Sequence, residues 1–463
     1  MSDELRGAEA EALRRRAELL LGEGRGTEAL ACLAELARRF GDSPDAAERN
    51  VALPALTDSL SVLLQAGRRD DASAVCDLAV PCFYADDPQE RSVLAWVLRG
   101  KGECLAELGR RREAIDAYRE VVRLLSDADG ADDVLAWAEV SMDAGNLLIE
   151  ETAIDEAVEL FDAVIGRFGL VEDPVLRLRV ASACDCKALA LFRKGDSDGA
   201  RAICGEIVSR FSDTGDEALR DRVAVALDRS AASLRDDARD EEALAKYAEL
   251  LAWLAEPRNA RQRRLSARGL TGRAEILVGE QQLDEAAVVA GAMVGRLASE
   301  ADESVALWLA NGIIMVASSL LDADDAETAL PMFDAVIARA GGPGGEELRI
   351  RGQIAWRGKL MALDRLGRPD DASVAEDQMT AFSEQTLALL ENLLLELRDP
   401  TSRTERLRAA HALAEKGSIL AQFDRTREAI EAIKELVSRF GDDTDSAMQD
   451  VVNSARDWID RLT

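Results

Sequence analysis

The side chains that could do chemistry in this chain are few, and their spacing does not favour it. The one histidine, His411, has no serine or cysteine constellation beside it that would make it a catalytic base, and a position on a helix face accounts for it. Cys32, Cys76, Cys82, Cys104, Cys184, Cys186 and Cys204 are odd in number, show no CxxC spacing and have no histidine pairs nearby, so neither a metal site nor a disulfide framework is expected. Cys184 and Cys186 would sit about 200° apart on a helix and cannot share a ligand. Gly341-Gly342-Pro343-Gly344-Gly345 lacks the lysine that a phosphate-cradling loop needs and reads as a connection. No GxGxxG or HExxH motif is present. The expectation is a protein without catalytic, metal-binding or cofactor-binding residues.

Charge narrows the partners. A net charge of −31 repels phosphate backbones and anionic lipid surfaces, with a reach of about 8 Å at physiological salt. Nucleic acid and membrane are therefore disfavoured. A basic protein or peptide is the better electrostatic match, although acidity also keeps a long chain soluble. The segment Met1 to Gly7 is polar and lacks the basic and apolar regions of a signal peptide, and no uninterrupted apolar run reaches the ~18 residues of a membrane span. A cytoplasmic location is expected.

What must position any binding residues is a repeat. Alanine recurs at Ala29, Ala72, Ala114, Ala157, Ala200, Ala243, Ala286, Ala329, Ala372 and Ala429, with seven intervals of 43 residues, one of 42 and a last one of 57. Nine residues before each alanine stands a leucine, from Leu20 to Leu420. Twelve before it the residue is alanine or glycine in eight units, as at Gly102, Gly145 and Gly417, so that a neighbouring helix can approach closely. Five before it comes glycine in half the units, Gly24, Gly67, Gly109, Gly195 and Gly367, marking the end of a first helix. Acidic residues such as Asp155-Glu156, Asp284-Glu285 and Asp370-Asp371 then open a second helix, as caps or dipole partners. Ala157, Phe161, Val164, Ile165 and Phe168 follow its 3.6-residue period along one buried face. Sparse proline (10 residues) and 4% aromatics agree with an all-α chain.

Spacings such as Gly102, Leu105, Ala114 and Tyr118, or Gly145, Leu148, Ala157 and Phe161, resemble the tetratricopeptide repeat over nearly the whole chain. Leucine replaces the family's usual first-helix aromatic, and the ~43-residue period is similar to the long repeats of kinesin light chains and bacterial signalling proteins. The resemblance implies a right-handed α-solenoid of about ten helix-turn-helix repeats spanning 1–463 as one continuous domain, closed by a capping helix at about 445–462. It also implies a non-catalytic interaction protein that binds a protein or peptide on the concave surface lined by first helices. On that surface the spacing places Trp96, Arg99 and Glu103, then Glu139, Met142 and Asn146, then Asp185, Arg268, Asn311, Ile354 and Arg357.

The irregular interval is a second candidate. The segment 384–400 carries the additional residues, and TLALLENLLLELR from Thr386 to Arg398 is the most leucine-dense stretch. Prolonging the second helix of unit nine by 14 residues adds about 21 Å. Leu387, Leu390, Leu394 and Leu397 then form a two-heptad seam, open either to a homodimer through 384–398 or to a fold back onto adjacent units or the final helix. Two readings of function follow: a scaffold, adaptor or regulatory subunit, and a ligand- or peptide-responsive sensor whose superhelical shape changes on binding.

Overall fold

The computed structural model describes residues 3–41, 43, 46–169, 171–342 and 345–462. Pro343 and Gly344, within the connection read at Gly341 to Gly345, lie outside the described residues. Among the described residues the chain forms 21 α-helices and no strand. It divides into two compact units, Met1–Ala226 and Leu227–Thr463.

In the first unit, α1 (Asp3–Gly22) pairs with α2 (Gly26–Leu36), α3 (Ala46–Gln65) with α4 (Arg69–Ala79), and α5 (Pro88–Glu107) with α6 (Arg111–Leu124). The pairs α7 (Ala131–Glu150) with α8 (Ile154–Phe168) and α9 (Pro174–Lys194) with α10 (Ser197–Phe211) follow. The division falls within α11 (Glu217–Asp236). The second unit holds α12 (Asp240–Trp253), the pairs α13 (Ala260–Gly279) with α14 (Leu283–Leu297) and α15 (Glu303–Asp322) with α16 (Ala326–Ala340), and then α17 (Glu346–Arg365) with α18 (Pro369–Glu396). It ends with α19 (Arg403–Gln422) paired with α20 (Thr426–Phe440), and α21 (Ser446–Leu462). The chain is an all-α helical-repeat protein of the solenoid class.

The columns do the packing they imply. Nine of the ten recurring alanines are fully buried, Ala372 being half-buried. A Cβ added to Gly102 would meet the Tyr118 ring at 2.3 Å, and one on Gly145 would meet Phe161 at 2.5 Å, so the small residue is what admits the aromatic of the second helix.

Every turn between paired helices takes the same form. The residue five before the alanine has positive φ in all ten units: five are glycine, and the others are Thr152, Ala238, Gln281, Asp324 and Asp424. One residue later an N–H donates to the carbonyl of the column leucine, as in Arg110→Leu105 at 2.8 Å and Gln282→Leu277 at 2.8 Å. That six-residue closure satisfies a carbonyl at the helix end. The leucine column therefore serves the turn through its backbone and the core through its side chain. Asp155, Asp284 and Asp370 lie inside the first turn of the second helix, where they complement its dipole; the cap positions are Ala153, Gln282 and Arg368, none with a side-chain cap bond.

Successive repeats are also tied by arginines near the ends of second helices. Arg167 donates to the carbonyls of Leu125 and Ala128, Arg210 to that of Gly169, Arg339 to that of Glu300, and Arg439 to those of Leu397 and Arg398. Each guanidinium thus meets carbonyls at or just beyond the C-terminal end of the preceding second helix, where the helix dipole is negative.

Helix α15 is, by length and composition, long and apolar enough to cross a membrane, although Asn311, Ser318 and Ser319 interrupt its apolar run. In this fold Val305, Leu309, Ile313, Val316 and Leu320 are buried against α13, α14, α16 and α17, and a helix packed on so many sides has no use for a charged face. In the 28-residue α18 the seam takes the fold-back reading: Leu387, Leu390 and Leu397 are buried, and Leu394 is half-buried. They join one cluster with Leu413, Leu420, Ile433, Met448 and Val452, because α19 lies against the extension and α20 and α21 pack on α19.

Candidate partner-binding face

The candidate residues stand on first helices, but a ladder of ion pairs joins many of them across neighbouring repeats. In the first unit Arg99 on α5 donates to Glu103 at 2.9 Å and to Glu139 on α7 at 2.8 Å, and Glu139 also accepts from Arg179 on α9. Asp185, buried on α9, accepts from Arg222 at 2.9 Å. Asn146 is exposed. Met142 is buried, so it belongs to the packing and not to an open face.

One carboxylate inside this ladder is strained electrostatically. Asp143 stands one turn beyond Glu139 on α7. Burial pushes its carboxyl above the ordinary range, against the pull of Arg99 and Arg179 and with the push of Glu103 and Glu139.

Apolar surface accompanies the charge. Trp96 is 41% exposed on α5, and Val93, one turn before it, is 40% exposed. Sequence spacing identified Trp96 and missed Val93, whose period places it on the same face. In the second unit Arg268 on α13 pairs with the buried Asp228 at 3.1 Å and lies 6.0 Å from the ring centre of Trp308, which is 46% exposed on α15. Trp308 was also missed, since it falls three residues before the position assigned to Asn311. Asn311 is exposed, Ile354 half-buried and Ile314 buried. Burial raises the Asp228 carboxyl out of its usual range despite Arg268, Arg229 and Arg235.

Arg357, half-buried, reaches across to α19 within its own unit. It donates to Ser418 on α19 at 3.0 Å, stands 3.9 Å from Glu415, and meets the Gln422 amide once that group's oxygen is turned toward it. His411 is exposed on α19. No group of three metal-ligating side chains occurs among the described residues. Both units offer the same chemistry: an exposed tryptophan on a first helix, with charges nearby that are held in place by partners on the adjacent repeat.

The repeat columns and helix pairs resemble those of tetratricopeptide repeat proteins, and solved structures of such proteins align with this chain at low similarity. A tetratricopeptide repeat protein from Parabacteroides merdae aligns at 14% identity over 65% of this chain and 97% of its own, with a TM-score of 0.33. The apo form of the quorum sensor NprR from B. thuringiensis aligns at 10% identity over 81% of this chain and 99% of its own, with a TM-score of 0.37. A Rap protein complexed with competence and sporulation factor aligns at 11% identity over 83% and 99%, with a TM-score of 0.32. No family profile and no curated protein matches the sequence.

Proposed function

We propose that this chain is a non-catalytic, cytoplasmic scaffold or adaptor that binds a protein or peptide on the first-helix face of its N-terminal unit. The observation that carries the reading is Trp96, exposed together with Val93 beside charges already fixed by Arg99, Glu139 and Arg179. An amphipathic ring held on a helix gives large contact area at small entropic cost. Polar groups anchored before the partner arrives need little further ordering. The net charge of −31 favours a basic partner.

Affinity capture from the native host, with wild-type chain and with Trp96→Ala, identifies the partner and tests the face. If Trp96 is an anchor, the variant weakens the captured interaction by about 30-fold, the scale of a hot-spot residue, while its helical melt is unchanged. Equal affinity of both proteins for the captured partner removes this face from consideration.

A further inference from the structure

Inside the second unit the apolar core stops and restarts within a single helix. One cluster runs from Ala267 to Phe382 and another from Leu387 to Ala455, so the break falls in α18 between Phe382 and Leu387. The layer between them is polar and fully buried: Ser383 donates to Gln353 at 3.0 Å, and Gln353 donates to Thr386 at 3.4 Å. Thr386 also bonds back to the carbonyl of Phe382 at 2.8 Å, a local bond that competes with the helix ladder and bends helices.

Across the same level, α17 and α19 meet through long polar side chains. Arg408 pairs with Glu346, and Arg357 reaches Ser418, Glu415 and Gln422. Burial drives the Glu415 carboxyl above its ordinary range despite Arg357 and Arg351. A layer held by polar and ionic side chains is a weaker joint than an apolar core, because each such contact replaces a bond to water and adds little net stability.

We infer that residues 387–462, the end of α18 with α19, α20 and α21, form a separate cooperative block that opens from the rest of the second unit along this polar layer. The 14 additional residues create the joint. They carry α19 along the extended α18, so that it builds its own core with α20 and α21 and is tied to α17 by arginines. Opening breaks the contacts of Arg408 with Glu346 and of Arg357 with Ser418 and Glu415, lets water reach Gln353, Ser383 and Thr386 at the hinge, and leaves both apolar clusters whole.

Hydrogen exchange of the full chain, read by mass spectrometry, tests this. Amides of α19, α20 and α21 exchange as one block roughly tenfold or more faster than those of α13 to α16, and the step in protection lies inside α18 at residues 383–386. Equal protection on the two sides overturns the inference. So does a gradual loss toward the C-terminus, which is ordinary end fraying.

The triple variant Gln353→Leu, Ser383→Ala, Thr386→Val makes the layer apolar and should slow exchange of the block while leaving α13 to α16 unchanged; no slowing overturns the assignment. If that variant does not fold, the pair Arg357→Met, Arg408→Met should speed exchange of the block alone. A uniform acceleration of the whole unit would then sink the idea.

Discussion

Repeats seven and eight, α13 to α16, and repeats nine and ten, α17 to α20, use the same alanine and leucine columns but join differently. In the first case the alanines are 43 residues apart, α13 and α15 pack directly, and a Cβ on Gly312 would meet Met293 Sδ at 2.8 Å. In the second the interval is 57 residues, and Arg357, Arg408, Glu346 and Glu415 occupy the level where α17 meets α19. The columns build each helix pair in both places. Whether neighbouring pairs share a core is set by helix length, since about four additional turns move the next first helix along its neighbour by roughly 21 Å.

Substitutions can break this contrast at three levels. The largest effect should come from the continuous core: Phe333→Ala removes a buried ring against which Gly358 packs and should cost about 3–5 kcal/mol, measured by urea unfolding of the full chain. Leu390→Asp with Leu394→Asp should cost at least about 3 kcal/mol through an unpaired charge in the C-terminal cluster. Its loss of protection should be confined to 387–462, and the mass by light scattering should stay as in wild type. Unfolding that spreads to α13 would show that the two clusters are one.

A smaller effect belongs to the arginine ties. Arg339→Met and Arg439→Met each release carbonyls near the end of the preceding second helix. Each should lower stability by about 1–2 kcal/mol. Arg339 lies in the shared core region and should affect global unfolding, while Arg439 should affect only the last block in hydrogen exchange.

The smallest effect is at the turns. Gln281 holds φ +59° in repeat seven where Gly367 holds φ +63° in repeat nine. Gln281→Gly should stabilise, and Gly367→Ala destabilise, each by about 1 kcal/mol. Thermal melts of the two variants should move in opposite directions, and shifts of the same sign would contradict the shared turn geometry.

Much of the helix pairing was legible because it is local. A leucine, a left-handed residue and an alanine at offsets of nine, five and zero describe one turn and one interhelical contact, all within a dozen residues. The other five left-handed positions escaped notice, since Thr152, Ala238, Gln281, Asp324 and Asp424 share no residue type and only the turn imposes their φ. Three of the four arginine ties were visible in principle as Arg-Phe at Arg167-Phe168, Arg210-Phe211 and Arg439-Phe440, a recurrence that spacing alone could have found.

The candidate face was legible as a set of positions and illegible as a network. With 57 basic and 88 acidic residues, any arginine has many carboxylates within plausible reach along the sequence. The partner it chooses, as Arg99 chooses Glu103 and Glu139 while Arg357 turns to Ser418 and Glu415, depends on where the next helix lies. The same holds for Met142 and Ile314, which share the register of Arg99 but are covered by neighbours.

By itself the amino-acid order determined that helices form, how they pair and where each pair turns, because those interactions run between residues close along the chain and repeat in every unit. Only the tertiary structure decided that the leucines of α18 face inward, that the core of the second unit is split at Ser383 and Thr386, and which charges stand together. Those outcomes depend on the distance between helices dozens of residues apart, and that distance follows from the accumulated lengths of the helices between them and from no single position.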